Sequence, residues 1–179
     1  EPALVFDFKG NYFRKSATAS TFPASITHTA STNATMTDGY GAELVTNGDF
    51  ATNVNGWAVL FGSVSWLSGK LHLVEDGGDA STARAYQGVA TEIGKTYIIT
   101  ADVGAVSLGS ASIVASTNTN TGGFPVVSSS GNETVELVFV AAATTTNVLL
   151  NLAGSSARTA DFDNVSVRQS PALKWRPHN

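Results

Sequence analysis

Trp66, Tyr86 and Phe124 are aromatic residues set among polar ones, and Arg84 and Gln87 lie within two residues of Tyr86. A flat ring stacks on an apolar C–H face, and a guanidinium or amide reads the hydroxyls around it. A sugar presents both kinds of surface, so these five are candidate sugar-binding residues. Trp66 ends the strand-like run S-V-S-W and has the opposite parity to Leu67. Arg84 and Tyr86 share one face of A-R-A-Y-Q-G-V, and Phe124 sits in the loop T-N-T-N-T-G-G-F-P. Each ring taken alone also fits a core position, because aromatic residues are usually buried.

Other chemistries have less support. The only histidines are His28, His72 and His178, and no Ser lies in a G-x-S-x-G elbow. Glycoside hydrolysis needs two carboxylates about 5–9.5 Å apart across a sugar. Glu75, Asp76 and Asp79 in E-D-G-G-D are the candidates, but such a loop reads first as a solvated turn. Without cysteine there is no disulfide, thiolate metal site or Cys nucleophile. The chain is therefore expected to be non-catalytic. Asp163 shares parity with Val165 and Val167, so regular pairing would turn its carboxylate inward. A carboxylate there needs a cation or several hydrogen bonds. A cation or backbone N–H donors would serve equally.

The elements that must position these residues are strands. Leu71 and Leu73 alternate with Lys70 and His72; Tyr97, Ile99, Ala101 and Val103 share one face; Val135, Leu137 and Phe139 share another. Val148, Leu150 and Leu152 alternate with Asn147 and Asn151. These runs are bounded by Gly, Asn or Ser, the signature of half-buried antiparallel strands. No stretch carries a 3.6-residue period with caps. Eight or nine strands are expected after residue 42, which suits an all-β, two-sheet antiparallel β-sandwich of jelly-roll type.

Residues 1–42 differ. Leu4–Phe8 alternates enough for a short strand, but the following stretch is Ser/Thr/Ala-rich and cannot offset its own ordering entropy. It is expected to be an extended N-terminal arm, either a linker or a segment that orders against a partner. Residues 43–168 form the jelly roll, and residues 169–179 a short C-terminal tail leading to a further domain. The chain starts at Glu1 and ends at R-P-H-N, so it is expected to be a fragment of a longer protein. Of its 179 residues 42% are hydrophobic and 13% charged, so Ser, Thr, Asn and Gly must cover the surface. Such surfaces belong more often to secreted or particle-borne β proteins than to cytosolic enzymes. Net charge is −4, which offers no basic patch for nucleic acid. No apolar run approaches the roughly 20 residues of a membrane span.

The run E-L-V-T-N-G-D-F-A-T-N-V-N-G-W (43–57) resembles the opening of the jelly-roll carbohydrate-binding modules of families four and nine. E-I-G-K-T-Y-I-I-T-A-D-V (92–103), T-V-E-L-V-F-V-A (134–141) and D-F-D-N-V-S-V (161–167) follow in the order of that family's later strands. The resemblance implies that Trp57 packs in the core. It also implies a structural Ca2+ joining the first and last strands, with Asn47, Asp49 and Asp163 among its ligands. Ala51 stands where the family often has Glu, which removes one carboxylate ligand. A second resemblance flanks the first. A-S-T-N-A-T-M-T-D-G-Y-G (30–41) and L-K-W-R-P-H-N (173–179) are similar to pieces of tailed-bacteriophage structural proteins. Together these imply a virion fibre, spike or decoration protein that holds a phage-like particle to bacterial surface polysaccharide. Other virion proteins would be its partners, and a homo-oligomer, for example a trimer, would raise avidity. A purely structural domain, or the binding module of a secreted polysaccharide-degrading enzyme, are the alternatives.

Overall fold

The computed structural model describes residues 5–7, 12–14, 39–75, 82–152 and 156–170. The chain divides into two units, Glu1–Thr37 and Asp38–Asn179. In the first, β1 (Val5–Asp7) and β2 (Tyr12–Arg14) form an antiparallel pair. The rest of that unit, and the tail beyond Ser170, lie outside the described residues.

The second unit is a sandwich of two five-stranded antiparallel sheets. Its strands are β3 (Ala58–Leu60), β4 (Ser63–Leu67), β5 (Lys70–Glu75), β6 (Ala83–Ala90), β7 (Thr96–Gly104), β8 (Ala111–Ser116), β9 (Val126–Ser129), β10 (Glu133–Val140), β11 (Thr145–Leu152) and β12 (Arg158–Gln169). One sheet runs β10-β7-β12-β5-β4 and the other β3-β6-β11-β8-β9. Among the described residues ten strands therefore follow residue 42. The expectation of eight or nine falls short because β3 and β9 are too short to show a period.

Period-two burial is clearest in β7, where Tyr97, Ile99, Ala101 and Val103 are buried and Thr96, Ile98, Thr100 and Asp102 are partly exposed. Against this sheet's Leu71, Leu73, Phe139, Phe162, Val165 and Val167 stand Ala83, Ala85, Ile113, Val148, Leu150 and Leu152 of the other. Large side chains facing alanines let the two layers interdigitate. Phe50 and Trp57, with ring centroids 5.6 Å apart, fill the core from the loop before β3, so the expected core position of Trp57 holds.

The expectation that Asp163 turns inward is corrected. On β12, Asp163 pairs with Asp102 and Ser166 with Thr100, so β12 carries one extra residue. Asn164 takes it up at φ 49°. This bulge lets Phe162 and Val165, three apart, both face the core and turns Asp163 to the outer surface.

Two joints hold the sandwich shut. At the first, Glu43 spans the bulge: Oε1 accepts from Leu44 N, Val45 N and Val167 N, and Oε2 from Ser166 Oγ and Arg168 Nε. Gly48 lies against Val165 so closely that a Cβ would stand 2.0 Å from its carbonyl oxygen. At the second, Phe61-Gly62 carries the chain from one sheet to the other. A Cβ on Gly62 would meet Val74 O at 2.4 Å and Ala83 Cβ at 2.6 Å.

Gly62→Ala is expected to destabilise the sandwich by about 1–3 kcal/mol, as overpacking does; an unchanged melting temperature would contradict the tightness of this corner. Glu43 gives a pH signature. Partial burial, the largest single influence, raises its pKa. Bonds from Ser166, Val167, Val45 and Arg168 together outweigh it, so the net shift is downward. A lowered folded pKa gives stability that is complete above the ordinary carboxylate range and lost as pH falls through the lowered value. Glu43→Gln should therefore flatten the loss of stability between about pH 5 and pH 3. A variant curve parallel to wild type would refute the joint.

Candidate functional site

The outer face of the β3-β6-β11-β8-β9 sheet is unusual, because it is buried as well. Alternation puts Arg84 and Tyr86 of β6, Leu149 and Asn151 of β11, and Ser112, Val114 and Ser116 of β8 on the side away from the core. Yet Leu149, Val114, Ser112 and Ser116 are buried, and Arg84 and Asn151 are only 8% and 3% exposed. Arg84 identifies one cover. Its Nη1 donates to Thr119 O at 2.5 Å. Thr119 belongs to the loop leaving β8, and β11 lies between β8 and β6. Loop 117–125 thus reaches across β11 to β6.

Arg84 is held on other sides as well. Nε donates to Thr82 O, Nη2 to Thr82 Oγ1, and the guanidinium lies 5.5 Å from the Phe61 ring centroid. Burial lowers its pKa from the usual arginine range. Tyr86 is half-buried in a cross-strand row that runs Ala58, Tyr86, Leu149, Val114, Val126. Val126 at the end of the row is exposed. Phe124 is half-buried in the covering loop. Three of the five candidates, Arg84, Tyr86 and Phe124, therefore belong to this face and its cover.

The other two lie elsewhere. Gln87 points into the sandwich and its amide is spent on the chain. Oε1 accepts from Thr46 N at 2.8 Å and from Thr46 Oγ1, while Nε2 donates to Thr46 O and Gly56 O. It fastens the loop before β3 to β6. Trp66 stands on β4, the edge of the opposite sheet. It pairs with Leu71 and so has inward parity, but the sandwich opens at this edge and 46% of the residue is exposed. Its Nε1 donates to Phe50 O at 2.7 Å, which fixes the ring's orientation. Sequence reasoning missed Asn147 and Asn151 as members of the Arg84–Tyr86 face. The signal was present: both alternate with Val148, Leu150 and Leu152.

The candidate calcium ligands divide between two surfaces. Asn47 and Asp49 line a cavity with Asn164, Val165 and Arg168. Asp163 lines another with Lys70, Asp102, Glu133 and Asp161. Asn47 Nδ2 donates to Asn53 O and Asn55 O, and the backbone carbonyl of Asn47 accepts from Trp57 Nε1. Asp163 accepts from Asn164 N. Asp102 is held below the usual carboxylate range by bonds from Thr134 and Asn164, which outweigh the upward effect of burial; Lys70 adds a smaller attraction. Among the described residues no three His, Cys, Asp or Glu side chains are grouped to hold a metal. Glu75 is buried and accepts from Ala83 N, so it is a structural carboxylate; Asp76 and Asp79 lie outside the described residues.

No family model matches the chain, and no curated protein matches it in sequence. Solved structures do. The sandwich is similar to the N-terminal cellulose-binding domain of a β-1,4-glucanase C from Cellulomonas fimi, at 22% identity and TM-score 0.57 over 74% of this chain and 100% of that one. It is similar to the CBM1 module of BiXyn10A, at 15% identity and TM-score 0.56 over 73% and 99%. It is also similar to a family-four carbohydrate-binding module, at 15% identity and TM-score 0.55 over 70% and 99%. The fold is the jelly roll of the carbohydrate-binding modules.

Gln87→Leu keeps the volume but leaves Thr46 and Gly56 without their partners. It is expected to cost about 2 kcal/mol and to free the loop before β3, read as faster proteolysis at residues 46–56. An unaltered cleavage pattern would show that Gln87 is not the fastening.

Proposed function

We propose that the protein is a non-catalytic carbohydrate-binding domain that holds a phage-like particle to polysaccharide on a bacterial surface. The observation that carries the carbohydrate half is the sheet face bearing Tyr86, Arg84 and Asn147. It sets a ring beside hydrogen-bonding side chains, on a fold used by carbohydrate-binding modules. The particle half is supported by the two flanking segments, 30–41 and 173–179, whose motifs resemble tailed-phage structural proteins. One ring and a few polar groups bind weakly. Display of several copies raises avidity by orders of magnitude without new contacts, which favours a homo-oligomer anchored through its terminal segments.

A second reading has its own support: one similar solved structure is named as a domain of a β-1,4-glucanase. In that case the domain would be an accessory module. A catalytic domain encoded in the same gene would favour this reading, and phage assembly genes alongside would favour the first.

The whole chain, monomeric and clustered on beads, should bind at least one bacterial polysaccharide on a glycan array. Tyr86→Ala should weaken that binding roughly tenfold, near the upper worth of an aromatic contact. Trp66→Ala tests the alternative platform. If Trp66→Ala abolishes binding and Tyr86→Ala does not, the site lies at the β4 edge instead. No binding in clustered form would refute the carbohydrate half.

A further inference from the structure

Arg84 and Asn151 are direct cross-strand neighbours on the covered face, and both are more than nine-tenths buried. Each is incompletely satisfied. Arg84 carries a full positive charge but bonds only to neutral acceptors: Thr119 O, Thr82 O and Thr82 Oγ1. No carboxylate among the described residues pairs with it. Asn151 Nδ2 donates to Ser112 Oγ at 3.0 Å, while Oδ1 is buried with no partner. Turning the amide over would leave an N–H orphaned in its place. A buried cation without an anion is costly, and so is a buried acceptor without a donor. Two such groups side by side describe a ligand carrying a negative charge next to a hydroxyl donor.

The cover that reaches Arg84 is the loop between β8 and β9. Loop 117–125 is fastened to β6 by the Arg84–Thr119 bond. Gly122 and Gly123 lie in it with open space where a Cβ would stand, and Gly123 has φ 79°. Swapping Thr119 O for a carboxylate would replace one neutral acceptor with a planar, charge-assisted and bidentate partner.

We propose that loop 117–125 is a displaceable strap over a subsite for a carboxylate-bearing sugar. Arg84 takes the carboxylate in place of Thr119 O, and a sugar hydroxyl donates to Asn151 Oδ1. The proposal rests on the carbohydrate-binding reading and narrows it to uronate-type residues. The chain's net charge of −4 would repel acidic polymers in general, so a preference for them must come from a local site.

The test compares polygalacturonate and alginate, each as the free acid and as the carboxyl-reduced polymer, with the whole chain and at fixed ionic strength. The expected result is at least tenfold tighter binding of one acid form over its reduced counterpart. Arg84→Gln should remove that preference, so that the acid and carboxyl-reduced forms bind the variant equally. The acid-to-reduced comparison is made on the wild-type chain, so it stands even if Arg84→Gln folds poorly. On binding the acid form, amide hydrogen exchange in residues 117–122 should rise as the strap lifts. Equal affinity for acid and reduced polymers, or equal binding of dextran sulfate, overturns the proposal and leaves the broader reading intact. Failure to bind any polymer, acidic or neutral, overturns both.

Discussion

A strand in a two-sheet sandwich has two sides and one core in which to bury them. When both sides are buried, something outside the sandwich must cover the second. β6, β11 and β8 are in that position, and the functional account follows from it. Their inward residues are the small and branched side chains that meet the opposite sheet. Their outward residues include Leu149, Val114, Ser112, Ser116, Arg84 and Asn151, all buried. Leu149 and Val114 stand apart from the main core and make a small apolar patch beside polar residues. A face that only needed sealing would carry apolar residues alone, because each buried polar group must find a partner. This one carries a guanidinium, an amide and hydroxyls, and Arg84 fastens the loop that leaves β8 across to β6.

The rest of the sandwich holds that face in place. Gln87 fixes the loop before β3 to the inner side of the strand that carries Arg84 and Tyr86 on its outer side. Glu43 and Gly48 lock the entry of the domain onto β12, whose bulge turns Asp163 outward. Gly62 permits the tight crossing between sheets that brings Phe61 over Arg84. Each of these contacts joins segments far apart in sequence. Their role is to set the orientation of the sheet face, and they touch no ligand in the proposed arrangement.

Much of the fold was legible in the sequence. Where one side of a strand meets the core and the other meets water, the alternation of apolar and polar residues records it directly, as in β5, β7 and β10. Parity also placed Arg84 and Tyr86 on one face. The misreadings have specific causes. Asp163 was expected inward because regular pairing was assumed, and a one-residue bulge at Asn164 resets the parity without any apolar signal. Gln87 looked like a surface reader because it adjoins Tyr86, but its partners, Thr46 and Gly56, lie 41 and 31 residues away. Trp66 and Tyr86 fall on different sheets, and sheet order was beyond reach of a period-two argument. Asn151 was visible as a polar residue in an apolar run, but its unpaired oxygen depends on the burial of a sheet face that alternation alone would leave open to water.

If the covered face of the β3-β6-β11-β8-β9 sheet takes the glycan, its residues should respond when an oligosaccharide is bound. The most direct measurement is residue-resolved mapping of amide NMR shifts in the isotopically labelled chain as a bound oligosaccharide is added. The changes should centre on Tyr86, Leu149, Asn151 and residues 117–125, with β10 and β7 little affected. Changes confined to Trp66 and the β4 edge, or to the surface bearing Asp102 and Asp163, would contradict binding at that face.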